Sequence, residues 1–476
     1  MSRTQRHVQF RPWAWICRLT GVASLCASAG AAEFEMAALT VQDTFVTPAW
    51  TQVTFMQQFP SVPMVFVLGS TNGSDPMTLR IRNVTTTGFQ VLQTEPSAND
   101  GLHLQNDTAY LAAEVGSHVL PDGSRFTVLS HSTTSFASRL ISVAWDSIVF
   151  PVAFNTTPAV LTQIQTMANE ANALPGNPSV PFMDVAVQNA TAASMQVTLE
   201  RAESAAGAVT LPEQIGILAV ENAVNTTFTD VFGASVRLQT LRTPRNIRGF
   251  SNGCYTNNYG VAFAAVPLSV ASQDTRFGAD GGWVRRCSQT AANIGLTIDE
   301  DIDNDAERGH TSESAGVVAA SIAFHAIFDV NLTVFKTVSV QSDPYNGTTN
   351  PKSIPDAEVE YTIEVENHGS VSPDTNSLVI TDEIPADLRM CVDVSCHAGG
   401  PVVLDASGSP VPPGVSLGTV AYSNDGGVSY GYLPLPDADG FDDAVDAIQV
   451  TMNGALASIA PAGAPSFQLL ILARVN

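Results

Sequence analysis

The chain has 476 residues, 45% of them hydrophobic and only 14% charged, with 45 acids against 21 bases and a formal charge of −24. That much apolar content excludes a disordered polyelectrolyte, and so few bases (only Lys336 and Lys352 are lysines) leave no broad face for nucleic-acid phosphates. Glycine (34) and proline (28) are plentiful, which points to short strands and many turns rather than long helices.

Residues 1–31 read as an export signal. Arg3, Arg6 and Arg11 form a basic start, residues 13–26 are mostly apolar, and Ala29-Gly30-Ala31 offers a small-x-small cleavage site. Arg18 interrupts the apolar run and leaves it too short for a bilayer, which needs about 20 residues. Removal takes four arginines and no acids, so −24 becomes −28. It also takes Cys17 and Cys26 and leaves Cys254, Cys287, Cys391 and Cys396. Four cysteines allow three connectivities; proximity and an oxidising destination favour disulfides Cys254–Cys287 and Cys391–Cys396. No later apolar segment is long enough to span a membrane, so a secreted or cell-surface location is expected.

Next come internal repeats. Phe59-x3-Pro63, Phe154-x3-Pro158 and Phe263-x3-Pro267 each precede a short apolar strand. Val53-Thr54-Phe55 and Ile148-Val149-Phe150 stand upstream at matching distances, and Arg82-Asn83-Val84-Thr85 and Gln188-Asn189-Ala190-Thr191 correspond downstream. Each copy closes on small apolar residues, at 110–114, 217–221 and 317–320, with Glu213 and Glu313 at matching places before the last two. The segments 77–84 and 195–200 alternate apolar and polar, the period of a half-buried antiparallel strand. The reading is three diverged β-sandwich units, 36–123, 124–225 and 226–330. A helix-like stretch from Met167 to Pro175 is taken as a loop insertion.

These units resemble the H-type lectin domain, a six-stranded antiparallel sandwich, through the Phe-ending strand, the strand after proline and the run Arg80-x-x-Asn83-Val84-Thr85-Thr86-Thr87-Gly88-Phe89. The resemblance implies glycan binding and trimeric assembly, which three fused units could imitate within one chain. However, the places where that family carries its sugar contacts hold Pro76, Pro96 and Ser97 here.

After Phe335 the chain becomes turn-rich, and residues 357–366 then alternate without a break. Ala357, Val359, Tyr361, Ile363 and Val365 face one way, while Glu358, Glu360, Glu364 and Glu366 face the other, where they would oppose edge-to-edge pairing. Lys336-Thr337, Ser342-Asp343-Pro344, Asn346-Gly347, Tyr361-Thr362-Ile363, Asn367, Gly369, Thr381-Asp382 and Pro385 resemble the conserved-repeat domain of bacterial surface proteins, domain of unknown function eleven. That implies an Ig-like module over 331–476 in a structural or spacer role. The expected fold class is therefore all-β: tandem antiparallel sandwiches, three lectin-like repeats plus an Ig-like C-terminal module.

Motifs for chemistry are weak. Gly-x-Ser-x-Gly occurs at 249–253, 414–418 and 427–431, but none precedes a helix as a nucleophile elbow requires. In the acidic run, Asp301, Asp303 and Asp305 keep the 1, 3, 5 spacing of a calcium loop. Ala306 replaces the required glycine and Glu313 comes one residue late, so an EF-hand is rejected. A looser calcium site built from Asp299, Asp301, Asp303, Asp305 and Glu307 is one reading, and an exposed acidic loop the other. Trp283 is the aromatic named for stacking against a ligand, with core packing as its competing role. No cofactor is required. The expectation is a non-catalytic exported protein that binds surface glycans or envelope proteins; the alternative is a structural envelope or matrix component without a ligand.

Overall fold

The computed structural model describes residues 6–9 (backbone only), 32–46, 48–139, 144–170, 175–201, 203, 206–373, 375–397, 399–405, 415–458 and 464–476. The export-signal features, apart from the backbone of Arg6–Gln9, lie outside these residues, as do positions 171–174 of the insertion near Met167. The chain divides into two compact units, which among the described residues are 32–328 and 329–476 with the strand Arg6–Gln9. Strands form all its regular structure among the described residues except a three-residue 3-10 turn, Phe250–Asn252. No described helix is long and apolar enough to cross a membrane.

Residues 32–328 contain three sandwiches built alike. In the first, an outer sheet of Thr51–Thr54, Gly88–Thr94 and Thr78–Arg82 faces an inner sheet of Phe324–Phe328, Ala32–Val41, Asn106–Ala113 and Met64–Val67. The second uses Asp146–Val149, Ser194–Glu200 and Asp184–Gln188 outside, and Gly116–Val119, Arg125–Thr133, Glu213–Val220 and Ala159–Ile164 inside. The third uses Tyr255–Asn258, Asn293–Asp299 and Trp283–Gln289 outside, and Asn225–Thr229, Ser235–Arg242, Ala315–Ala320 and Leu268–Gln273 inside. A separate apolar core fills each: Leu79, Ile81, Phe89 and Val91 in the first, Val185, Val187, Met195 and Val197 in the second, Ile294, Leu296 and Ile298 in the third.

Outer strands alternate because one face meets this core and the other meets solvent or a neighbour. Inner strands behave differently. Ala159–Ile164 and Ala315–Ala320 are buried at every residue. One face covers its own core and the other packs on the neighbouring sandwiches, which accounts for the apolar runs Ala159–Leu161 and Ala315–Ala320. The three strands that follow the prolines, Met64–Val67, Ala159–Ile164 and Leu268–Gln273, touch each other pairwise at a common centre. The three units are thus in mutual contact within one chain.

Edge strands close the arrangement. Gly116–Val119 and Asn225–Thr229 each join the following strand through a tight turn, anchored by Leu120 N–H to Ser124 and Asp230 N–H to Ala234. The corresponding edge of the first sandwich is supplied from the far end of the unit, where Phe324–Phe328 pairs with Ala32–Met36. His325 Nδ1 lies 2.8 Å from Glu35, 290 residues away in sequence, and its Nε2 lies 3.2 Å from Glu33. Phe34, Phe126, Phe228, Phe324 and Phe328 cluster around this closure. The boundaries read from sequence put Gly116–Val119 in the first unit and Phe324–Phe328 in the third. The sheets put them in the second and the first, because edge strands pair through backbone groups that leave little mark on sequence.

In residues 329–476 one sheet runs Asn331–Ser342, Glu358–Asn367, Ser466–Val475, Leu388–Cys391, Phe441–Asp442, with Val402–Asp405 also on Ser466–Val475 and Arg6–Gln9 beside Asn331–Ser342. The other runs Val379–Glu383, Ala447–Asn453, Ser416–Ser423. Val359, Ile363 and Val365 enter the core between them as the alternation requires. The glutamate-bearing strand is not an edge, however: it is paired on both sides. Its glutamates meet side chains on their own face, Glu358 with the Arg474 guanidinium at 2.9 Å and Glu360 with the His397 ring at 3.2 Å.

Candidate functional site

The densest polar chemistry lies where the three sandwiches meet. Three backbone registers align Arg80, Ala186 and Arg285 as equivalent positions, and Thr94, Glu200 and Asp299 as another set. Each seam carries an ionic arrangement around a buried carboxylate, built differently. Arg80 of the first sandwich reaches Glu170 of the second, Nε to Oε2 2.8 Å, with both residues almost fully buried. Between the second and third, Arg276 pairs with Glu200. At the seam of the third and first, Arg285 pairs with Asp299 of its own sandwich and donates across to the carbonyls of Ser70 (3.0 Å) and Asp75 (2.8 Å). Arg308 Nε reaches the other oxygen of Asp299 at 2.7 Å. Neutral bridges add to these: Gln165 grips Val65 N and O at 2.9 and 2.8 Å, and Ser272 grips Thr162 N and O at 3.1 and 3.0 Å.

Glu213 and Glu313 do equivalent work inside their sandwiches. Glu213 accepts from the Thr166 hydroxyl and, at 2.9 Å, from the Asn169 amide; Glu313 accepts from the Thr275 hydroxyl at 2.6 Å and the Phe277 and Gly278 amides at 2.6 and 2.9 Å. In the first sandwich that place is Asn106, which accepts from Ser70 N–H at 2.7 Å. These side chains hold the loop after the post-proline strand. Burial works to raise the Glu313 carboxyl, but hydrogen bonds led by His310 and Thr275 hold it below the usual range. His310 sits between Glu300 and Glu313; burial opposes its charge, yet the two carboxylates raise it to about 9.

Asp299 to Asp305 of the acidic run are drawn into these seams, while Glu307 stays exposed. Asp299 holds Arg285 and Arg308. Asp301 is fully buried and accepts from Glu203 N–H at 3.0 Å, from the second sandwich. Asp303 accepts from Ser97 Oγ and Ala98 N–H of the first sandwich, both at 2.6 Å. Asp305 lies 3.3 Å from Arg139 of the second, and Glu307 accepts from Gly309 N–H at 2.7 Å. The five side chains point to different partners, and no group of three or more His, Cys, Asp or Glu among the described residues is arranged to hold a metal.

Trp283 is also internal. It is 4% exposed, packs with tilted rings at 4.8 Å against Phe182 of the second sandwich and donates its indole N–H to Met77 O of the first at 2.7 Å. It therefore offers no ring face to a ligand. A cavity of about 30 Å³ lies beside it, lined among others by Met77, Thr162, Gln163, Ser272 and Gln273. That is room for a water or two, not a sugar ring. Pro76 and Pro96 are buried, and Ser97 is committed to Asp303. Both cysteine pairs stand as expected, Cys254–Cys287 and Cys391–Cys396, with Cα–Cα distances of 5.8 and 5.9 Å.

One repeated feature was missed in sequence. Ala49-Trp50 and Ala144-Trp145 immediately precede equivalent outer strands, a dipeptide match that self-comparison could have found. Trp50 and Trp145 are both half-buried on the outer faces. No protein-family profile, curated protein or solved structure matches this chain.

Proposed function

We propose that this chain is a non-catalytic exported protein in which three fused sandwiches form one rigid body that binds partners through its outer faces, with an Ig-like module as structural support. The observation that carries this reading is the placement of charge. Arg80–Glu170, Arg276–Glu200 and Arg285–Asp299 tie one sandwich to the next or lie sealed between them. Buried charges cost several kcal/mol each unless paired, so these groups serve cohesion and specificity of assembly. The contacts of Trp283, Asp299 and Asp301 commit these groups within the chain, which favours the outer faces as the surfaces that meet a partner.

The secreted, surface-exposed location and the H-type lectin and Ig-like resemblances belong to this proposal. Labelled full-length chain, passed over a glycan array and an array of extracellular proteins, should bind some members saturably and leave them chemically unchanged. Turnover of any member would overturn the non-catalytic reading. Absence of saturable binding on both arrays would favour the structural alternative, which the sealed, self-complementary seams also fit.

A further inference from the structure

The three sandwiches offer an internal comparison at one exterior position. In the first, the guanidinium of Arg82 lies 3.7 Å from the ring centroid of Trp50, and its Nε donates to Gln90 Oε1 at 2.9 Å. In the third, the place of Trp50 is taken by Cys254, whose disulfide to Cys287 spans the same sheet beside Ser288, the counterpart of Arg82. The second sandwich has neither closure. Trp145 stands where Trp50 does, but the counterpart of Arg82 is Gln188. Gln188 Nε2 donates to Gln196 Oε1 at 3.1 Å, and Asn189 Nδ2 does so at 2.8 Å, just as Asn83 serves Gln90 at 2.9 Å. The framework of the first site is therefore reproduced without its cation. Trp145 is half-buried and has no hydrogen-bond, stacking or cation–π partner among the described residues.

We propose that this face, formed by Trp145, Gln188 and Gln196, docks an arginine side chain of a protein partner. The first sandwich shows the pose, a guanidinium over the indole with one N–H turned to a glutamine carbonyl; in the second that acceptor is Gln188 Oε1, because Gln196 Oε1 already accepts from Gln188 and Asn189. Arginine suits both contacts, because its planar cation stacks on the indole's negative face while its N–H groups lie in the plane. Gln188, Asn189 and Gln196 are neutral amides, and a chain carrying −24 draws basic partners to it. This deepens the partner-binding reading above by naming the chemistry of one contact.

The test uses the indole N–H signals of the 15N-labelled full chain, with Trp145→Phe to assign one of them. N-acetyl-arginine amide should move the Trp145 signal saturably and leave that of Trp50, already capped by Arg82, in place. Gln188→Arg, which installs the first sandwich's own cap, should abolish the response while leaving the other indole signals unchanged. The proposal is overturned if the Trp145 signal does not move, if it moves equally in Gln188→Arg, or if it answers only to a neutral oligosaccharide such as cellohexaose, which would make the face a glycan platform. An array partner that binds wild type and Trp145→Ala equally would refute this contact and leave the partner-binding reading intact.

Discussion

Replacing Arg80 by methionine isolates the seam between the first and second sandwiches. Arg80 is 1% exposed and Glu170 2%, and the guanidinium also donates to Thr166 O at 3.1 Å. Removing it leaves the Glu170 carboxylate with only the Ser179 hydroxyl, at 2.9 Å. An uncompensated buried charge of this kind costs about 3–5 kcal/mol. Unfolding entropy is about 2.1 cal/mol/K per residue, so a unit of nearly 300 residues responds by roughly 5–8 °C in its unfolding midpoint. Burial already raises the Glu170 carboxyl, so the loss should be smaller in acid, where the unpaired group takes up a proton. In Arg80→Met/Glu170→Met the space is refilled with apolar atoms, and the midpoint should return to within about 2 °C of wild type. Calorimetry of the four proteins of this cycle measures the coupling directly. A shift below 1 °C for Arg80→Met, or a double variant whose loss equals the sum of the singles, would refute the argument that this pair holds the seam.

His325→Ala should loosen the closing strand. Hydrogen exchange by mass spectrometry should then show Phe324–Phe328 losing protection by about 10–100-fold, the equivalent of a lost buried hydrogen bond to a charged group, while Gly116–Val119 is unaffected; unchanged protection would remove His325 as the fastener. His310 is raised in the folded state to about 9 from an ordinary value of 6.5, so its stabilisation is complete below about pH 6.5 and is lost as pH rises through 9. A plot of midpoint against pH should fall across that window in wild type and flatten in His310→Gln. Reducing or replacing Cys254–Cys287, which are 33 residues apart, should cost about 3–4 kcal/mol in the loop-entropy account, read as a lower denaturant midpoint; no change would show that the third sandwich does not depend on this clip.

Strand type and core side were legible in sequence because they depend on local period. The alternation in Thr78–Arg82, Ser194–Glu200 and Glu358–Asn367 needs only the two-residue repeat of a strand and an apolar face to bury. The cysteine pairing was legible for a similar reason, proximity along the chain. The three units were visible through their Phe and Pro spacing, and Glu213 and Glu313 were noticed as matched, though their role as loop holders was not. The glutamates of Glu358–Asn367 were read as guarding an edge; alternation reports which face a residue takes, not whether a neighbouring strand lies beside it.

The candidate site could not be read this way, since each decisive contact joins segments far apart in sequence. Asp299 to Glu307 has the look of a cation loop when taken alone. Whether its carboxylates converge or scatter depends on Arg285, Arg139, Ser97 and the Glu203 amide, brought in from three sandwiches. Trp283 is exposed or buried according to whether Phe182 and Met77 meet it. By itself the sequence determined the all-β class, the repeat, the cysteine pairs and the alternating faces, because these follow from covalent neighbours and short periods. The tertiary structure alone decided that the last strand of the repeat unit completes the first sandwich, that Asp299, Asp301 and Asp303 meet groups of the neighbouring sandwiches, and that Trp145 stands uncapped among the described residues where Trp50 is capped. Those outcomes rest on burial and on pairing across seams, which take physical form only once distant segments share a surface.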